Sequence, residues 1–162
     1  IYNFISVLLL MYLEKIDISN ININNFKLPK MRMSERKFKS NILVDDYAHH
    51  PTEIKYVIKA MKQKYPNSDI ITIFQPHTYS RTLELKDDFK NLFKDVKERY
   101  LLKTYTSRET YNKEKERKVK RIFKWCKYIT QDDYKKISNY ENKVIIFIGA
   151  GDTHSEVLNS FS

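Results

Sequence analysis

The sequence predicts an α/β domain, a mostly parallel β-sheet with helices on both faces. Three junctions carry that expectation. Ile42–Val44, Ile70–Phe74 and Val144–Ile148 are short apolar runs with the length and β-branched content of buried strands, and each breaks off into a polar loop followed by helical periodicity. Strands that alternate with helices assemble into parallel sheets, because each crossover helix carries the chain back to the end where the next strand must start.

In chain order, Phe4–Leu13, "FISVLLLMYL", reads as an apolar helix, but it is far short of the roughly 20 residues that a membrane span needs. It has neither a basic leader nor a small-residue cleavage site, so it is not read as a signal peptide. Asn20–Pro29 interrupts the periodicity with Asn and Pro and marks a boundary. The first strand stops at the acid pair Asp45–Asp46. Pro51 then suits a helix start, where its missing N–H is no loss, and Ile54, Val57, Ile58 and Met61 form one apolar stripe. The second strand meets the loop "QPHTYSRT", after which Leu85, Phe89, Leu92 and Phe93 recur at helical spacing. Glu98–Tyr105 reads as a further strand and Lys124–Ile129 as a short one, while Asn112–Phe123 and Gln131–Ile137 read as helices. The third strand meets "GAGDTHS", with Val157, Leu158 and Phe161 on a closing helix.

Composition narrows the partners. The 162 residues include 30 Lys or Arg against 20 Asp or Glu, a net charge of +10 that can steer a chain toward nucleic acid, anionic membrane or a phosphorylated ligand. These basic residues are scattered and accompany no binding motif, and abundant Lys, Asn, Ile and Tyr beside only 2 Gly is the skew an AT-rich genome imposes. Neither a nucleic-acid nor a membrane partner is expected. The single Cys126 forms no internal disulfide and has no His or second Cys at metal spacing, which suits a reducing cytoplasm. The chain opens on Ile1 rather than Met, and the expectation is of a piece that continues upstream.

In open parallel sheets ligands bind beyond the carboxyl ends of the strands, where all three junctions place their unusual residues. These are Asp45, Asp46, Tyr47, His49 and His50; His77, Tyr79 and Arg81; Asp152 and His154. Helix starts add free N–H groups suited to carboxylate or phosphate. Carboxylates and imidazoles are common metal ligands, but the spacing lacks an H-E-x-x-H pattern, and no dedicated metal site is expected. Asp45 as a turn cap, and Asp46 or His50 as a helix cap, are the plainer alternatives. Arg81 is either a solvated charge or a fork of N–H donors for a carboxylate or phosphate. "GAG" lacks the third glycine of a dinucleotide fingerprint and reads as a tight turn that lets the last helix pack. Ser80, His49 and Asp46 lack the G-x-S-x-G elbow of a hydrolase. Trp125 and Cys126 have no expected role in chemistry.

"VDDYAHHPTEI" (Val44–Ile54) and "FQPHTYSRT" (Phe74–Thr82) resemble two segments of the C-terminal domain of the Mur ligases, in the branch that adds L-alanine to UDP-N-acetylmuramate. "VIIFIGAGDT" (Val144–Thr153) resembles that domain's last strand and turn, and "TYTSRE" (Thr104–Glu109) its Y-x-x-R-E segment. "IYN" and the helix after it resemble the segment just downstream of the Gly-x-His-Asn in the family's central ATPase domain. The resemblance covers nearly the whole chain but only the last third or so of such an enzyme, and nothing here resembles its P-loop or its UDP-sugar domain. It implies that residues 1–27 are the end of the central ATPase domain and that residues 28–162 are a Rossmann-like Mur ligase C-terminal domain. It further implies a cytoplasmic bacterial ligase of peptidoglycan precursor synthesis. Such an enzyme uses ATP and Mg2+ to activate the lactyl carboxylate of UDP-N-acetylmuramate as an acyl phosphate and joins it to L-alanine, the isolated chain being inactive.

Carried over by position, Asn3 would meet the adenine, Arg32 a nucleotide phosphate and Asp46 the ribose hydroxyls of ATP. Tyr47 and His49 would shape the alanine pocket, Arg81 would hold the alanine carboxylate, and Asp45, His50 and His77 would support them. "LPKMRMSE" (Leu28–Glu35) departs from the Gly-Val-Lys-Arg-Arg-Phe of many relatives, with Met31 and Met33 in place of Arg and Phe, and Thr78 stands where some relatives carry a second Arg. The Lys-rich stretch from Tyr111 to Tyr140 carries no expected function. A murein peptide ligase, or a binding module for nucleotide or amino acid, are the alternative readings.

Overall fold

The computed structural model describes residues 2–19, 31–151 and 161. The elements are α1 (Tyr2–Leu13), β1 (Ser34–Phe38), β2 (Asn41–Asp46), α2 (Pro51–Lys64), β3 (Asp69–Phe74), α3 (Tyr79–Glu84), α4 (Lys86–Phe89), β4 (Glu98–Leu101), α5 (Lys113–Ile122), β5 (Lys127–Tyr128), α6 (Gln131–Ile137) and β6 (Lys143–Ile148). Six strands form one sheet in the order β1-β2-β6-β3-β4-β5. All neighbouring strands are parallel except β1, which pairs antiparallel with β2 at one edge.

Both faces of the sheet are covered, which is why its central strands read as unbroken apolar runs. Side chains alternate between two cores. Val44, Ile70, Phe74, Val144, Ile146 and Ile148 face Ile54, Val57, Ile58 and Met61 of α2, together with Phe89, Phe93 and Phe123. Leu43, Ile71, Ile73, Ile145 and Phe147 face Tyr134 and Ile137 of α6, with Phe161. The first core is aromatic at its centre: the Phe123 ring lies 5.3 Å from Phe74 and 5.2 Å from Phe89, centroid to centroid.

Helix ends obey local chemistry. α2 starts at His50, whose Nδ1 accepts from the Thr52 N–H at 3.3 Å while Glu53 Oε2 accepts from the His50 N–H at 3.2 Å. His50 is thus the cap of α2. Asn112 caps α5 by accepting from the Lys115 N–H at 2.9 Å, and Phe123 closes that helix, so its expected limits are its two caps. α6 spans the expected residues.

Several expectations are corrected. β1, polar along its length, was not foreseen: as an edge strand it needs no apolar face, and its charges discourage pairing with other chains. It joins β2 through Lys39 and Ser40, with Lys39 in the left-handed region at φ 52°. The strand expected over Glu98–Tyr105 stops at Leu101, after which the chain bends toward β3, the Tyr105 N–H donating to the Pro76 carbonyl at 2.9 Å. β5 is confined to Lys127–Tyr128. The helical spacing of Leu85–Phe93 is broken into α3, α4 and turns, with Leu85 closing one helix and opening the next. Asp45 and Asp46 belong to β2, so Asp45 does not cap a turn. The expected closing helix lies outside the described residues apart from Phe161. Among the described residues no helix is long and apolar enough to cross a membrane.

Candidate functional site at the carboxyl rim of the sheet

The register brings the three junctions together. Asp46 and Phe74, the last residues of β2 and β3, both pair with Ile148, the last residue of β6, and Phe74 also pairs with Leu101. The Gly149 N–H donates to the Asp46 carbonyl at 3.1 Å and the Gln75 N–H to the Ile148 carbonyl at 2.9 Å. The loops after β2, β3, β6 and β4 therefore leave one rim side by side.

Period-two alternation divides the acid pair. Asp46 is buried, its Oδ2 accepting from the Met33 N–H and its Oδ1 from the Ala48 N–H, both at 2.8 Å. It ties the 31–33 segment to the loop after β2. Burial raises its carboxyl above the ordinary value, and those two N–H groups and Arg32 offset part of the rise. Asp45 faces the other way, where burial, then Asp46, push its carboxyl up to about 6, with Arg36 acting against them.

Along the rim runs a row of rings. The Arg32 guanidinium sits over the Tyr47 ring at 5.6 Å. The Tyr47 and His49 centroids are 5.5 Å apart, those of His49 and His77 5.6 Å, and His77 stacks on Tyr105 at 5.4 Å. His49 Nδ1 lies 3.1 Å from the Tyr47 carbonyl and 3.8 Å from Glu53 Oε2, which also accepts from the His49 N–H. Arg81, in the first turn of α3, directs Nη1 to His77 Nδ1 at 3.4 Å, an arrangement in which that nitrogen carries no proton. Burial, then His49 and Arg81, hold the His77 imidazole below its ordinary value. Among the described residues neither Arg32 nor Arg81 closes an ion pair, so two guanidinium groups stand on the rim without a salt-bridge partner there.

Two glycines let the loops close in. A Cβ at Gly149, whose φ is +158°, would meet Gln75 Cβ at 3.1 Å, and one at Gly151 would meet Gln75 Oε1 at 2.3 Å and Tyr105 Cγ at 2.6 Å. The "GAG" turn thus packs against Gln75 and Tyr105, which the sequence alone did not single out. Glu109 was missed as well: its carboxylate meets the start of α3. The signal for Tyr105 and Glu109 was the "TYTSRE" segment and that for Gln75 the "FQPHTYSRT" segment, neither of which carried a role for these residues.

Of the expected site residues, Arg32, Asp46, Tyr47, His49, His77 and Arg81 share this rim. Asp45 lies on the opposite face of β2, and His50 is used as a cap. Asn3 falls in the first turn of α1, its side chain outside the described part. Asp152 and His154 lie outside the described residues. Among the described residues no three His, Cys, Asp or Glu side chains gather as a metal centre.

Known proteins resemble this chain in sequence and fold. The model of the Mur ligase, glutamate ligase domain, matches residues 31–151. A UDP-N-acetylmuramate–L-alanine ligase of Levilactobacillus brevis is 36% identical over 156 residues, covering 94% of this chain and 35% of its own. Its counterpart in Leuconostoc citreum is 40% identical over 156 residues, with the same shares. The chain spans about a third of the length of these curated relatives. Among solved structures, a UDP-N-acetylmuramate-alanine ligase from Thermotoga maritima superposes with a TM-score of 0.68 at 23% identity, over 96% of this chain and 34% of that one. A murein peptide ligase from Psychrobacter arcticus gives 0.63 at 18% identity, over 86% and 31%. At these identities the structural likeness speaks for the fold.

Proposed function

The chain belongs to the Mur ligase family, and from that premise we propose that it is the C-terminal part of an ATP-dependent ligase. The full enzyme would join L-alanine to the lactyl carboxylate of UDP-N-acetylmuramate through an acyl phosphate, in the bacterial cytoplasm, as a step of peptidoglycan precursor synthesis. The observation that carries this reading is the rim itself: Arg81 beside two imidazoles, an exposed Arg32 over the Tyr47 ring and a buried Asp46, on loops that the sheet register brings side by side.

Residues 1–27 would end the central ATPase domain and residues 28–162 would form the C-terminal domain. α1 fits that division, since Leu9, Leu10 and Leu13 are each more than half exposed, and a helix apolar on all sides is built to be covered. The rim would then be one half of a pocket that the upstream domains complete, which is why the chain alone should not turn over.

In the closed enzyme Arg81 would pair with the alanine carboxylate through two parallel N–H···O bonds, leaving the amine directed at the acyl carbon. Tyr47 and His49 would wall the space for its methyl group, and His77 would keep the guanidinium turned to the rim. The residues present also fit a nucleotide. Arg32 is exposed and would meet a phosphate, and Asp46 retains a second lone pair on each oxygen for ribose hydroxyls beyond those given to Met33 and Ala48. Asn3 would face the adenine edge. Mg2+, held mainly by the central domain, would offset phosphate charge. Amine attack forms a tetrahedral centre, phosphate leaves with the electron pair of the broken C–O bond, and the amide remains.

The test is phosphate release and amide formation by the full-length gene product with UDP-N-acetylmuramate, ATP, Mg2+ and L-alanine, glycine or L-serine in turn. L-alanine should be preferred, and the 162-residue chain alone should release negligible phosphate. No amide with L-alanine, or robust turnover by the chain alone, would overturn the reading.

A further inference from the structure

The turn that carries Arg81 is held from outside. α3 has six residues, and its N-cap residue Thr78 makes no side-chain capping bond. So short a helix gains little from its own hydrogen bonds against the cost of starting. Its first two N–H groups, of Tyr79 and Ser80, donate instead to Oε2 and Oε1 of Glu109, both at 3.1 Å. One carboxylate thus satisfies two donors that would otherwise face water.

The loop that delivers Glu109 is pinned to the same junction. The Leu102 N–H donates to the Phe74 carbonyl and the Tyr105 N–H to the Pro76 carbonyl, both at 2.9 Å, while the Tyr105 ring stacks on His77. A turn with Ser107 at φ 54° then brings the Glu109 N–H to the Thr106 carbonyl at 2.9 Å.

We propose that Glu109 is a positioning residue for the amino-acid half of the site: by holding both leading N–H groups of α3, it fixes where the next residue, Arg81, presents its guanidinium. The inference rests on the reading of Arg81 as the carboxylate-binding residue. It also explains how an acid can sit near that arginine without spending its charge. The Glu109 carboxylate faces the positive end of the α3 peptide dipoles rather than the guanidinium, which stays available to a ligand. Burial alone would raise its carboxyl, but hydrogen bonds from Ser80, Thr78 and Tyr79 outweigh that and hold it below the ordinary glutamate value.

The experiment has two arms. In the 15N-labelled chain, the Tyr79 and Ser80 amides are followed from about pH 7 to about pH 3, across the carboxylate range. They should move together, with one midpoint below that of an ordinary glutamate, and the movement should vanish in Glu109→Gln. Exchange of the Thr82 and Leu85 amides, which donate to Thr78 and Arg81 carbonyls, should speed about tenfold in that variant and recover in part in Glu109→Asp. In the full-length ligase, Glu109→Gln should raise the KM for L-alanine about tenfold, with kcat and the KM for ATP within about twofold, and Glu109→Asp should restore most of the loss. Amides of Tyr79 and Ser80 that ignore the titration would overturn the proposal, and so would equal rises in both KM values. If the unsubstituted enzyme shows no L-alanine-dependent turnover, the ligase reading alone fails, and the amide arm still decides whether Glu109 holds the Arg81 turn.

Discussion

Gly151→Ala is the perturbation whose cost can be worked most directly from the rim. The added Cβ would lie 2.3 Å from Gln75 Oε1, 2.6 Å from Tyr105 Cγ and 2.8 Å from Tyr105 Cβ, where nonbonded carbons prefer about 3.5–4.0 Å. Neither neighbour can simply swing away. Gln75 is buried, and the Tyr105 ring is stacked on His77 with its backbone bonded to Pro76. The strain must be taken up by the loop, and overpacking of this kind costs about 1–3 kcal/mol. For a chain of this size each kcal/mol lowers Tm by about 2–4 °C, so a cost of about 2 kcal/mol predicts a fall of about 4–8 °C. Thermal unfolding followed by circular dichroism reads that fall, and the His77 imidazole signals in NMR should move, because the ring beneath them is displaced. Gly149→Ala should cost less, its closest contact being Gln75 Cβ at 3.1 Å. A Gly151→Ala chain that melts within about 1 °C of the unsubstituted one, well under the shift expected for 1 kcal/mol, would refute the close packing of the turn on the rim.

Other perturbations probe the surroundings. Asp45 titrates near 6 in the folded chain against an ordinary 3.8, so it binds its proton more tightly when folded; its contribution is present in full at low pH and is lost as pH rises from 3.8 to about 6. Because the side chain is partly exposed, solvent screening limits the effect to about 1 kcal/mol. Asp45→Asn should therefore be more stable at neutral pH and lose less stability across that window in urea titrations; an undiminished loss would count against it. Asp46→Asn leaves one acceptor oxygen for the Met33 and Ala48 N–H groups, and unfolding by urea should show a loss of about 1–3 kcal/mol. Phe123→Ala opens the aromatic centre of the first core and should cost about 3–5 kcal/mol, while a loss under about 1 kcal/mol would mean the site collapses freely.

Burial decided how much of the fold was legible in the sequence. The central strands were plain because both their faces are buried, which turns residues such as Ile70–Phe74 and Val144–Ile148 into unbroken apolar runs. α2 was plain from its apolar stripe and the Pro51 start, while α5 and α6 were legible as helical stretches with no stripe or cap singled out to mark them. β1 was hidden because an edge strand exposes most of its side chains, so "SERKF" carries no alternation. The break between α3 and α4 was hidden because apolar spacing persists across Leu85 although the backbone does not stay helical there. At the rim, residue type and position beyond a strand end were enough to single out Asp46, Tyr47, His49, His77 and Arg81. Roles that depend on contacts between distant segments were not. His50 was legible as one of two candidate caps, and the geometry of its turn chose it over Asp46; the opposite facing of Asp45 and Asp46 needed the strand to run two residues further, and Glu109 reaches α3 across about thirty residues of sequence, a distance no spacing rule spans.

The account turns on the rim being half of an amino-acid pocket, and Arg81→Ala in the full-length enzyme tests this most directly. Loss of a paired, charge-assisted contact with the alanine carboxylate, about 3 kcal/mol, predicts a roughly hundredfold rise in the KM for L-alanine, with the KM for ATP nearly unchanged. Equal rises for the two substrates, or none for L-alanine, would contradict it.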